Sequence, residues 1–181
     1  MRSILLVPIS PGPTDGLHTL ERQLAELLHL PVVLHSEPSL DMSHAFDPSR
    51  NQYYSTEIIS ALLHRFPNHD GKILGVTAGD LFVPVLTYVF GEAQLDGKVA
   101  LISAARLDER VYGLSANPRL LAHRLLKEAV HELGHTFGLV HCQGMDCVMR
   151  SSTVVEEIDM KSERFCPACA GLLLKQMEAP A

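Results

Sequence analysis

The feature that leaves this chain least freedom is one string, His131-Glu132-Leu133-Gly134-His135-Thr136-Phe137-Gly138-Leu139-Val140-His141. From Pro118 to Phe137 the apolar residues Ala122, Leu126, Ala129, Leu133 and Phe137 recur at helical spacing, so a helix with a stripe facing the core is expected. On the same wheel His131 and His135 point to roughly the opposite side, one turn apart, where two imidazoles look into a cleft. Gly138 ends this helix, because glycine enters positive φ without a Cβ clash, and the turn brings His141 back as a third nitrogen. Helix, turn and loop must therefore close around one cation.

Three protein ligands leave a fourth position for water. Zinc held this way lowers the pKa of its water to about 7, and the carboxylate of Glu132 would take that proton and hand it to a leaving amine. Metal-assisted amide hydrolysis is the expected reaction, with a peptide or protein as substrate. A bare His-Glu-x-x-His is compatible with ordinary polar residues on an exposed helical face. The glycine at the third place and the histidine at the sixth place after His135 each add a separate geometric reason for a metal.

All four cysteines, Cys142, Cys147, Cys166 and Cys169, lie within the last 40 residues. Their two pairs, C-x4-C and C-x2-C, suit a tetrahedral thiolate site for a structural zinc that staples the C-terminal segment to the end of the histidine helix. Two zinc ions per chain are expected, one catalytic and one structural. Two other readings stay open: buried unliganded thiols, and a redox dithiol of the thioredoxin type at Cys166-Pro167-Ala168-Cys169, which leaves Cys142 and Cys147 unexplained.

Upstream, Ser3–Pro8, Pro31–His35, Lys72–Thr77 and Tyr88–Ala93 read as strands, and Asp96-Gly97 as a hairpin turn into a strand over Val99–Ser103. Leu17–Leu28 and Tyr54–Phe66 have helical spacing, whereas Pro11–Gly16 and Ser36–Gln52 read as loops. The fold class expected is α/β: a three-layer sandwich whose twisted mixed sheet is mostly parallel with one antiparallel edge strand. An apolar content of 46% suits a single domain over 1–181, with sheet and active-site helix in 1–138 and a zinc-stabilised subdomain in 139–181.

With a net charge of −6 and scattered basic residues, the chain offers no stripe to nucleic acid. No apolar stretch approaches the roughly 20 residues that cross a bilayer. Pro8 and Pro11 interrupt the first apolar run before a signal-peptide core forms, so a cytoplasmic monomer is expected. The other histidines, His18, His29, His35, His44, His64, His69 and His123, read as surface or satisfied core residues.

From His131 to Cys169 the chain resembles the archaemetzincins, or archaelysins, a family of metzincin zinc peptidases. Cys142 adjoining the histidine string, Cys147-Val148-Met149 and the C-x2-C pair carry the resemblance. Gly75-Val76-Thr77, Asp80-Leu81-Phe82 and Val89-Phe90-Gly91-Glu92-Ala93 extend it upstream. It implies a catalytic zinc on His131, His135 and His141, Glu132 as general base, Met149 in a turn beneath the metal and a structural zinc on the cysteines. Metzincins bind peptides extended along an edge strand, here Tyr88–Ala93, and some members of the family look like aminopeptidases. No tyrosine closely follows Met149 to assist the metal. Two other functions stay open: a binding or regulatory module that keeps the metal without turnover, and a thiol oxidoreductase or metal carrier.

Overall fold

Strands with both faces covered lose the alternation of polar and apolar residues, and two segments here show this. β6 (Lys72–Thr77) and β9 (Val99–Ser103) are buried along nearly their whole length, which places them at the centre of a sheet. The computed structural model describes residues 3–12, 16–36 and 40–178. Within them the main sheet runs β2 (Val32–Leu34), β1 (Ile4–Ser10), β6, β9, β8 (Gly91–Ala93), with β3 (Leu40–Asp41) beside the far end of β1. All pairings are parallel except β8 with β9, so the antiparallel edge strand is where the hairpin turn puts it.

Two helices cover one face and a third covers the other. α1 (Leu17–Leu28) and α3 (Pro118–Thr136) bury Leu20, Leu24, Leu126, Ala129 and Leu133 against Ile4, Leu6, Leu74 and Ile102. α2 (Ser55–Arg65) buries Ile58, Ile59 and Leu62 against Val7, Ile9, Ile73 and Leu101. The result is the three-layer α/β sandwich with a mixed, mostly parallel sheet. After α3 the chain forms α4 (Val155–Met160) and α5 (Pro167–Glu178), and Leu173 of α5 joins the α1–α3 core.

Several expectations change. Ala122, the first residue of the α3 stripe, is exposed, because the helix begins beyond the sheet's cover. Of the Tyr88–Ala93 segment, Gly91–Ala93 forms the strand paired with β9 and Phe90 O also accepts from Ser103 N, whereas Val89 bridges Leu81. The stretch after Ser36 is not a featureless surface loop. It contains β3, a 3-10 turn at Ser43–Ala45 and β4 (Phe46–Asp47), and buries Met42 and Ala45 beneath α2 through isolated apolar residues that have no period. β4, β5 (Gln52–Tyr54) and β7 (Leu81–Phe82) form a small second sheet. Residues 13–15 of the Pro11–Gly16 loop, residues 37–39 of the Ser36–Gln52 stretch, and the chain ends 1–2 and 179–181 lie outside the described residues. No helix among the described residues is long and apolar enough to cross a membrane.

Candidate metal centre

The end of α3 is built by its glycine. Gly138 has φ 83°, its N–H reaches His135 O at 2.9 Å, and Leu139 N–H reaches Gly134 O at 3.1 Å, the two bonds that close a helix with a left-handed residue. The turn presents Leu139 O to His135 Nδ1 at 2.7 Å, while Val148 O lies 2.8 Å from His131 Nδ1. A carbonyl only accepts, so both Nδ1 atoms carry the proton and both Nε2 atoms present a lone pair.

Those lone pairs meet at one place. The Nε2 atoms of His131 and His135 are 3.1 Å apart, and the ligand atoms of His131, His135 and His141 all lie within 4.8 Å of one another. Two facing lone pairs at that distance repel unless a cation sits between them. A tetrahedral zinc with bonds of about 2.0–2.1 Å holds its nitrogens about 3.3 Å apart, so the donor set fits such an ion. Burial holds His131 well below the usual imidazole value, helped by the nearby Lys161 ammonium, and burial also lowers His135. Both shifts favour the neutral imidazole, the form in which a histidine binds metal. His131 is buried and His141 exposed, so the centre opens to solvent on the His141 side.

Glu132 stands beside this centre, 6% exposed, beneath the edge strand. Burial pushes its carboxyl well above the usual carboxylate range, and the Glu128 carboxylate adds to the shift. Its fit is close: a Cβ on Gly91 of β8 would lie 2.7 Å from Glu132 Cγ and 2.8 Å from Oε1. Met149 is fully buried against α3 at Gly134, where a Cβ would overlap its sulfur, and Met149 O accepts from Cys142 N at 2.9 Å.

The four cysteines converge as well. Their sulfurs lie within 4.8 Å of one another, with Cys142 and Cys166 3.8 Å apart, close to the spacing of about 3.8 Å for thiolates on a tetrahedral zinc. Gly144 N–H donates to Cys142 Sγ at 3.3 Å and Cys166 N–H to Cys147 Sγ at 3.4 Å. Cys166, just before α5, is held at about 7, chiefly by the backbone N–H of Cys169. Four sulfurs in one cluster suit a closed metal site better than an isolated Cys166–Cys169 dithiol.

Sequence reasoning missed the rest of the polar face of α3. Arg124, 3% exposed, bonds Asp159 at 2.6 and 2.8 Å and Glu109 at 3.0 Å. Lys127 Nζ donates to Ile158 O at 2.9 Å, and Glu128 pairs with Lys161 at 2.9 Å in a buried setting. The spacing was a usable signal: positions 124, 127, 128, 131 and 135 lie on one helical face. The other histidines join no candidate metal group among the described residues. His64 and His69, for example, contact the backbone oxygens of Ser60 and Lys72.

Comparison with known proteins places these features among relatives. The model of peptidase family M54 matches residues 30–175. A curated relative named archaemetzincin, from Methanocaldococcus jannaschii, is 39% identical over 167 residues, which cover 92% of this chain and 89% of that protein. The crystal structure of archaemetzincin from Methanopyrus kandleri superimposes with a TM-score of 0.82 at 33% identity, covering 98% of this chain and 97% of that one. A zinc-dependent peptidase from Methanocorpusculum labreanum gives a TM-score of 0.86 at 31% identity, covering 94% and 100%.

Proposed function

This chain belongs to peptidase family M54 and is a metallopeptidase, and from that footing we propose that His131, His135 and His141 hold a zinc ion beside Glu132 as general base. The observation that carries the reading is the pair of Nδ1–H bonds to Leu139 O and Val148 O, which turn two Nε2 atoms toward one point before any ion arrives. When bound, zinc lowers the pKa of its water to about 7 and polarises the carbonyl to be cleaved. Glu132 accepts the proton of the attacking water and delivers it to the departing amine.

The substrate would lie extended along β8. Phe90 O accepts from Ser103 N and Val99 O from Gln94 N, so the bonded pairs with β9 fall at 90, 92 and 94. The N–H and C=O of Gly91 and Ala93 then point outward and are placed to pair with a peptide strand. Gly91 touches Glu132, which puts the scissile bond opposite Gly91. A second zinc on Cys142, Cys147, Cys166 and Cys169 would be structural, tying segment 139–181 to α3, and Met149 would floor the catalytic centre. Aminopeptidase action, which the resemblance raises, calls for an acidic anchor for the substrate amine. The edge strand's acidic residue, Glu92, is bonded instead to Ser55 and Thr56 at the start of α2.

The test is Glu132→Ala, with metal content and peptide hydrolysis measured on both proteins. Two zinc ions per chain in each, with hydrolysis lost only in the variant, is the expected result. Equal hydrolysis in both removes Glu132 from the mechanism.

A further inference from the structure

The edge of the sheet beside the metal centre is short, and the chain itself ends it. Gly91 and Ala93 turn their backbone groups outward, and the edge leads back into Val89, whose side chain packs with the α2-side core. At Val89 the place is taken: its N–H donates to Leu81 O at 3.0 Å, and Leu81 of β7 forms an antiparallel bridge with it. A peptide paired along Ala93 and Gly91 meets Leu81 where its next pairing position would be.

Two further contacts close the same end. Phe90 is 5% exposed and packs with Leu107, Val155 and Ile158, so the space between the edge segment and the chain after Met149 is filled by side chains. Above this plug the Tyr88 hydroxyl donates to Thr153 O at 2.8 Å, tying one rim to the other. The Tyr88 ring is held in turn by Phe90 and by the Arg106 guanidinium, 4.6 Å from its centroid, which is itself paired with Asp80. Pairing strand, apolar plug and rim-to-rim bond lie at one end of β8. The Ala93 end leads instead into the Asp96-Gly97 turn.

Direction follows from the pairing. A strand added to an edge forms the more stable ladder when antiparallel, so the substrate runs against β8 and its carboxyl end points toward Val89. Gly91 and Val89 are two residues apart, about 7 Å of extended chain. Resting on the hydrolytic reading above, we propose that this protein is a carboxyl-end trimming peptidase, in which the Leu81–Val89 bridge, the Phe90 plug and the Tyr88–Thr153 strap limit the substrate to about two residues beyond the scissile bond. Residues on the amino side of that bond run past Ala93 toward the Asp96-Gly97 turn, where Asp96 N–H donates to His135 O at 2.9 Å.

The experiment uses the zinc-loaded full chain and peptides built from one sequence: amino-acetylated, extended by four residues at the amino end, or extended by four at the carboxyl end. Mass spectrometry should find each peptide shortened by one or two residues from its carboxyl end, with acetylation and amino-end extension changing the rate by less than about threefold, because neither touches the closed end. Cuts in mid-chain, or removal of residues from the amino end, overturn the proposal. To separate it from the hydrolytic reading, binding is measured to zinc-loaded Glu132→Gln using a peptide that ends two residues past its preferred site. If no peptide is cut, that site is taken from the peptide that binds tightest. A cyclic peptide of the same sequence, which has no carboxyl end to stop at the closure, should bind at least about tenfold more weakly, since it must abandon the strand pairing. If the cyclic and linear peptides bind equally, the closure has no role in recognition. If the wild type cuts nothing while the binding order holds, the hydrolytic reading fails and the directional groove stands.

Discussion

Gly91 shows how much a single hydrogen atom in place of a side chain decides. Its missing Cβ is what lets β8 lie on Glu132, since an added carbon would sit 2.7 Å from both Glu132 Cγ and Leu101 O. The carboxylate could swing away, but the Leu101 carbonyl is backbone and cannot yield without moving the sheet. Gly91→Ala should therefore destabilise the fold by about 1–3 kcal/mol and displace Glu132. We expect kcat to fall at least about tenfold while both zinc ions are retained, because the histidines and cysteines are untouched. Unchanged kcat, with an unfolding midpoint equal to that of wild type, would show that the contact positions nothing. Gly134 works on the other side of the helix, where the space it leaves receives Met149 between the two histidine turns.

At the scale of elements, α3 is less a helix with one buried face than a helix clamped from two sides. Its apolar stripe meets the sheet, and its polar face is bonded by the chain that follows: Arg124 by Asp159, Lys127 by Ile158 O, Glu128 by Lys161, His131 by Val148 O and His135 by Leu139 O. Successive turns of one helix thus fix α4 and the Met149 turn in register with His131 and His135. The Glu128–Lys161 pair is fully enclosed, with side chains 4% and 1% exposed. Removing one partner leaves an uncompensated charge, so Lys161→Met or Glu128→Leu alone should cost about 3–5 kcal/mol, whereas the double variant should recover most of the loss. Denaturant unfolding of the three variants decides it, and losses that simply add would mean that the groups do not act as a pair. The spacing that makes these residues one face is readable in the chain. Their partners, about 30 residues further on, are not, because nothing local says which distant carboxylate or carbonyl will arrive.

At the scale of the whole molecule, the two proposed metal sites would have different structural weight. The histidine centre is anchored by α3 and by backbone carbonyls that are in place already, whereas the cysteine cluster joins the loop after α3 to the start of α5. Selective removal of the catalytic ion should abolish hydrolysis with little change in melting temperature. Stripping the cysteine site should lower stability by several kcal/mol, on the order of the binding free energy that a structural zinc contributes to folding. Calorimetry on protein treated with graded chelator checks this. A single transition that is insensitive to the second ion would argue that core packing alone, through Leu173 and Val148, holds the C-terminal segment.

What the sequence determined by itself is whatever depends on short spacing. Two imidazoles one turn apart, a glycine that must end their helix, a third histidine just beyond it and paired cysteines follow from backbone geometry within a few residues, as do the central strands and the Asp96-Gly97 hairpin. The tertiary structure decided the rest: that Ala122 lies outside the core, that Gly91 rests on Glu132, that Leu81 ends the edge at Val89, and that Asp159 and Lys161 return to α3. Each of these joins residues far apart in the chain. Such contacts are selected by how the sheet and its helices close around a common core, and local periodicity carries no record of which surfaces that closure brings together.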